Sequence, residues 1–149
     1  ILENDMPVDS ITVMVQKEAA QRICAEVGTR QSGAVTVSVN YYAEPEMLFG
    51  VSAGSFMPAP KVDSAVIRLN VRKEPPVKVE SEKLLFNVIK AAFSQRRKTL
   101  ANSLSSGLSV EKGKINELLI NSGVETNARA EKLTLDDFAN ITNNLQEMM

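Results

Sequence analysis

Two apolar periods divide the chain. From Ser10 to Gln16 the run Ser-Ile-Thr-Val-Met-Val-Gln is β-branched and nearly apolar throughout, which predicts a strand covered on both faces of a parallel sheet. It passes directly into Lys17 to Glu26, a stretch of good helix formers that stops at Gly28. A strand followed at once by a helix is half of a βαβ unit. Gln16 and Lys17 then stand at the carboxyl edge where open α/β sheets bind ligands, although both also suit the polar start of a helix. Gly28 to Gly33 is a polar, turn-rich loop. Ala34 to Tyr42 is ambiguous by period, since its β-branched residues favour a strand while Val35, Val39 and Tyr42 fit a helical stripe. A helix is expected here because an α/β pattern needs one, with Tyr41 and Tyr42 as core and rim. Pro45 to Ser52 reads as a strand with Met47, Phe49 and Val51 on one face, and Val62 to Val71 as a second strand pairing with it in an antiparallel hairpin.

Arg72-Lys73-Glu74-Pro75-Pro76-Val77-Lys78 ends this pattern, since two prolines among charges stop a strand and stiffen a linker. Beyond it the period is helical. Leu85, Val88, Ile89 and Ala92 draw an apolar stripe that Leu100 and Leu104 continue to Gly107. Lys83, Asn87, Lys90, Ser94 and Arg97 fall on the opposite face, whereas Arg96, four after Ala92, is aimed at the packed side and is expected partly buried against a carboxylate or carbonyls. Ser109 to Ser122 predicts another helix with Ile115, Leu118 and Leu119 inward and Gly123 as the stop. Thr134, with Asp137 three residues later, opens a last one with Phe138, Ile141 and Leu145 buried. The organisation expected is an α/β unit over 1–73, made of strand, helix, helix and antiparallel hairpin, a linker over 74–80, and an all-α bundle of some four helices over 81–149. The first unit is the back half of a doubly wound domain. Its front half, with a glycine-rich loop after a strand, is missing.

Composition changes this picture in two ways. The 149 residues include one Cys and no His, so an internal disulfide, a thiolate or imidazole zinc site and any His-based triad or general base are excluded within one chain. The absence of a membrane-length apolar run or signal peptide, with so little cysteine, fits a cytoplasmic protein. The opening Ile1-Leu2-Glu3-Asn4, with no initiator Met, suggests a fragment. Net charge is −1, yet between Lys83 and Val110 stand five cations, Lys83, Lys90, Arg96, Arg97 and Lys98, and no Asp or Glu. Such a field marks either a solvated helix face or a phosphate-binding surface.

Between the two strands of the hairpin lies Phe56-Met57-Pro58-Ala59-Pro60-Lys61. Pro58 and Pro60 fix their own φ and push Met57 and Ala59 into extended geometry, so the loop is a stiff platform. On residue type alone Phe56 is either a core plug at a strand corner or a ring presented outward.

Taken together in chain order, Val13-Met14-Val15-Gln16-Lys17-Glu18, Tyr41-Tyr42, Phe56-x-Pro58-x-Pro60-Lys61-Val62-Asp63-Ser64-Ala65-Val66 and Phe93-Ser94-Gln95-Arg96-Arg97-Lys98-Thr99-Leu100 closely resemble the bacterial ribosomal RNA adenine dimethyltransferases, the enzymes whose loss confers kasugamycin resistance. The resemblance covers essentially the whole chain. It implies a Rossmann-like methyltransferase domain followed by a small helical domain, and methyl transfer from S-adenosylmethionine to two adjacent adenines of small-subunit ribosomal RNA. The partner it implies is the immature small subunit, met by a monomer with no membrane. It also implies that Phe56 lines the target-base pocket. On that expectation Lys61, Lys83, Lys90, Arg97 and Lys98 contact RNA, and Arg96, Pro58 and Pro60 serve structure. The family's Asn-Leu-Pro-Tyr-like acceptors and glycine-rich cofactor loop are not in this sequence, so the chain alone is expected to bind no cofactor and not to catalyse. The resistance methyltransferases acting on large-subunit RNA share the Phe-x-Pro-x-Pro turn, and the Arg-Arg-Lys-Thr segment and helical tail favour the small-subunit enzymes. A non-catalytic RNA-binding or ribosome-assembly module is the alternative from a different class.

Overall fold

The chain order in the computed structural model, which describes residues 9–55, 62–95 and 97–148, is strand, two helices, two strands and four helices. The first strand, β1 (Ser10–Gln16), runs straight into α1 (Lys17–Ile23), and α2 (Ala34–Tyr42) leads into β2 (Ala43–Val51). β3 (Ser64–Val71) lies between β1 and β2 and is antiparallel to both. β1 and β2 therefore run parallel, joined through two helices, with the last strand inserted between them.

The two-sided cover expected for β1 is not what the described residues show. Ile11, Val13 and Val15 pack with Ala65, Ile67 and Leu69 of β3 against Ala20 and Ile23 of the first helix, Cys24 just beyond its end and Val39 of the second. Thr12, Met14 and Gln16, alternate residues on the other face, are exposed. Within this chain the strand alternates, with the apolar Met14 52% exposed on the second face. The hairpin of β2 with β3 is borne out, but its single apolar face is not: a bulge shifts the register so that Met47 opposes Ile67 and Phe49 opposes Val66, adjacent residues whose side chains leave on opposite faces.

α2 forms in spite of its β-branched residues because both ends are held. The Thr36 hydroxyl, fully buried, accepts from the Gly33 N–H at 3.0 Å and donates to the Arg22 carbonyl at 2.6 Å, joining the start of α2 to the end of α1. Val37 and Tyr41, four apart, enter the core of the helices that follow.

Those helices are α3 (Glu82–Ala92), α4 (Leu100–Leu108), α5 (Lys112–Asn121) and α6 (Leu135–Met148). Leu85, Val88 and Ile89 meet Leu100 and Leu104, Ile115, Leu118 and Leu119, and Phe138, Ile141 and Leu145. Each such side chain contributes about 1.5–3 kcal/mol by leaving water. The stripe read as one helix up to Gly107 is two, broken between Ala92 and Leu100. Gly107 does not stop α4 either. The reversal comes at Ser109, in the left-handed region at φ 55°, while Gly107 lets α3 approach: a Cβ there would stand 2.5 Å from the Ala91 Cβ and 2.8 Å from its Cα.

The expected start of α6 is present as a reciprocal cap. The Asp137 N–H donates to the Thr134 hydroxyl at 3.1 Å, and the Thr134 N–H donates to the Asp137 carboxylate at 3.0 Å. Thr134→Ala is expected to lower the unfolding free energy by about 0.5–2 kcal/mol, measured by urea titration. No loss would show that packing of Phe138 alone sets the start of this helix.

Candidate functional site

Phe56, Pro58, Pro60, Lys61 and Arg96 lie outside the described residues, but the chain on both sides of the 56–61 loop places its roots. β1 ends at Gln16 and β2 at Val51, and both residues oppose Ser64, the first residue of β3. Asp63 binds the two sides together: its carbonyl accepts the Lys17 N–H and its carboxylate the Ala53 N–H, each at 2.9 Å. The loop thus springs from the edge where two parallel strands end, the edge at which α/β sheets hold ligands. Gln16 and Lys17, singled out from sequence, are exposed at that edge. Asp63 was legible only as one letter of a motif, and its role as a tie needed the fold.

The cations expected to face solvent do so, though not all from one helix. Lys83 and Lys90 are exposed on α3. Arg97 is not on that helix at all; it is exposed, with Lys98, on the turn between α3 and α4. This turn is built from polar bonds. The Ser94 hydroxyl donates to the Ala91 carbonyl at 2.7 Å, and the Gln95 carbonyl accepts from the Lys98 N–H at 3.1 Å and the Ser103 hydroxyl at 3.2 Å. The first N–H groups of α4 find carbonyls of a distant loop, Leu100 to Ala128 at 2.8 Å and Ala101 to Thr126 at 3.3 Å. This places exposed Arg129, next to Ala128, near the basic turn. The sequence offered no signal for Arg129, which lies two helices further along the chain. Among the described residues none of Lys83, Lys90, Arg97 and Lys98 is held in an ion pair, so their charge faces solvent, where it attracts polyanions.

Tyr41 and Tyr42 are core and rim, as expected: Tyr41 is buried and Tyr42 partly so. Burial first, then the charge of Glu82 and a hydrogen bond to it, push the Tyr41 hydroxyl up to about 12, so it remains a donor across the neutral range. Among the described residues no helix is long and apolar enough to cross a membrane.

Known proteins match this arrangement closely. The ribosomal RNA small subunit methyltransferase A of Alkaliphilus oremlandii is 44% identical over 149 residues, a match covering 99% of this chain and 52% of that protein. A crystal structure of a dimethyladenosine transferase from Plasmodium falciparum superposes with a TM-score of 0.70 at 22% identity, over 94% of this chain and 58% of the other. That of the 23S rRNA methyltransferase ErmE gives 0.61 at 23%, over 95% and 57%. The two structures share the fold described above, and this chain spans about half the length of the curated relatives it matches. With the family model for ribosomal RNA adenine dimethylase matching residues 1–147, the chain belongs to that family.

Proposed function

We propose that this chain is the distal part of an enzyme that dimethylates two adjacent adenines of small-subunit ribosomal RNA. It divides into a methyltransferase part over 1–73, a linker over 74–80 and an RNA-binding helical part over 81–149. The observation that carries the reading is that Asp63 ties the described chain on either side of residues 56–61 to the carboxyl edge of the sheet, in a chain whose Lys83, Lys90, Arg97 and Lys98 are exposed. An enzyme that modifies a base takes it out of the stack, and an aromatic face such as Phe56 replaces the lost stacking. S-adenosylmethionine, when bound, supplies an activated methyl group. Transfer to the adenine amine would require that amine to be held in line with the activated carbon. Positioning does most of this work, so neither His nor metal is needed.

This chain's share is the base and the RNA. Its residues include no glycine-rich loop following a strand, so the cofactor site is assigned to the part of the enzyme that the longer relatives have in addition, and the chain alone is expected to be inactive. Lys83, Lys90, Arg97 and Lys98, with Lys61 beside the base loop and Arg129 beside the basic turn, are assigned to phosphates, and Pro58, Pro60 and Arg96 to structure. The enzyme is placed in the cytoplasm as a monomer acting on immature small subunits.

The test is a salt series on the full-length enzyme. Arg97→Ala with Lys98→Ala is expected to weaken RNA binding and to flatten the slope of log K against log salt by about 0.7–0.9 for each phosphate left without its cation. Unchanged affinity and slope would remove these residues from the interface. RNA binding without methylation by the wild-type enzyme would favour an assembly module instead.

A further inference from the structure

The carboxyl end of α2 is gripped from two sides. From the sheet, Arg72 at the exit of β3 donates its Nε–H to the Asn40 carbonyl at 2.9 Å and its backbone N–H to the Tyr42 carbonyl at 2.8 Å. From the helices, Glu82 in the first turn of α3 accepts both phenols, Tyr41 on Oε1 and Tyr42 on Oε2, each at 3.2 Å. Phe86, one turn further on, meets Tyr41 edge-on at 5.7 Å between ring centroids and stacks on Tyr42 at 5.5 Å. The segment bypassed by these contacts is itself pinned to α6, for Asn143 donates to the Lys78 carbonyl at 2.9 Å and accepts the Glu80 N–H at 3.3 Å.

One carboxylate therefore joins the helix that precedes β2 to the helix that leads to the basic turn. Its position suits it. The first turn of a helix favours a negative charge, and the two carboxylate oxygens take one phenol each. α3 acts as a lever on this pivot. Its 11 residues span about 16 Å, so a tilt of about 5° at Glu82 carries the far end by about 1.4 Å. In enzymes a misplacement of about 1 Å can cost roughly a hundredfold.

We propose that Glu82 is a positioning residue: by holding Tyr41 and Tyr42 it sets the bearing of α3 and the basic turn relative to the sheet edge that carries the base loop, and hence where RNA held by the cations delivers its adenine. This rests on the function proposed above.

The experiment uses the full-length enzyme with its native cysteines, Cys24 among them, replaced by Ser, and spin labels attached through Arg68→Cys on β3 and Lys114→Cys on α5, both exposed sites. Glu82→Ala is expected to broaden the distance distribution between the labels and, in the unlabelled enzyme, to raise KM for immature small subunits at least fivefold, with a small change in Tm. Glu82→Gln keeps a neutral acceptor and is expected to recover most of the KM. A merely structural role would lower Tm and kcat through loss of folded enzyme and leave KM unmoved. An unchanged distance distribution overturns the joint, and a broadened one with unchanged KM overturns its role in positioning. A wild-type enzyme that methylates no ribosomal RNA would sink the proposed function instead, and the distance measurement would still decide the joint.

Discussion

Phe56→Ala in the full-length enzyme is expected to lower kcat/KM for adenine methylation by about 5- to 150-fold, the equivalent of the roughly 1–3 kcal/mol that one stacked base is worth. Tm and cofactor binding should hardly move. The alternative for this ring, a plug in the core, makes the opposite forecast: truncating a buried Phe costs about 3–5 kcal/mol of stability and leaves the chemistry of surviving molecules intact. Phe56→Leu separates the two most cleanly. Leucine fills an apolar hole at a cost of about 1.5 kcal/mol or less, but it has no π face to lay against a base. Lost activity with an unchanged melting curve identifies the stacking wall, whereas retained activity in the Leu variant would end that assignment.

Gly107→Ala is expected to destabilise the fold by about 1–3 kcal/mol, although alanine is intrinsically the better helix former by about 1 kcal/mol. The reason is steric. The new methyl would lie 2.5 Å from the Ala91 Cβ and 2.8 Å from the Ala91 Cα, so α3 and α4 must separate, and Leu85, Leu100 and Leu104 would lose part of their packing with them. Ala91→Gly in the same molecule should return only part of the loss, because it removes the methyl at 2.5 Å and leaves the backbone atom at 2.8 Å. Full recovery, or no destabilisation in the single variant, would show that the two helices slide apart freely. Urea titration of the four proteins measures the coupling directly.

What could be read in the sequence was what local chemistry decides. The hairpin, the start of α6 at Thr134 and the buried Ile115, Leu118 and Leu119 follow from alternation, a capping pair and helical spacing, and the structure has all three. α2 was the harder case, resolved correctly from the α/β pattern because its own residues argue both ways. The break between α3 and α4 was hidden because Leu100 and Leu104 keep a plausible spacing with Ala92 and no Gly or Pro interrupts them. Six polar residues in a row, Ser94 to Thr99, were the available sign. The carbonyls of Thr126 and Ala128 that make the break possible come from far along the chain, and no local pattern announces them.

The candidate site divides along the same line. The basic residues and the proline-spaced loop declare themselves by composition, and the ordered motifs gave the family. Asp63, Glu82 and Arg129 did not, since each matters through a neighbour distant in sequence. The bulge in β2 belongs with them: the residue Leu48 carries no mark, and only the pairing with β3 shows that Met47 and Phe49 have parted company.

The place of β3 also governs when the sheet can exist. Ser10 finds its partner in Asn70 and Gln16 in Ser64, while β2 pairs with the same strand from the other side. As the ribosome delivers the chain, β1 and β2 emerge before β3, so the edges that pair with it stay open until that strand arrives between them. Such late, long-range closure is slow compared with the local contacts of the helices that follow, and it leaves the β-branched Ile11, Val13 and Val15 available to wrong partners in the interval. Any shortened form that ends before Ser64 would keep β1 and β2 and lose the strand that, among the described residues, joins them.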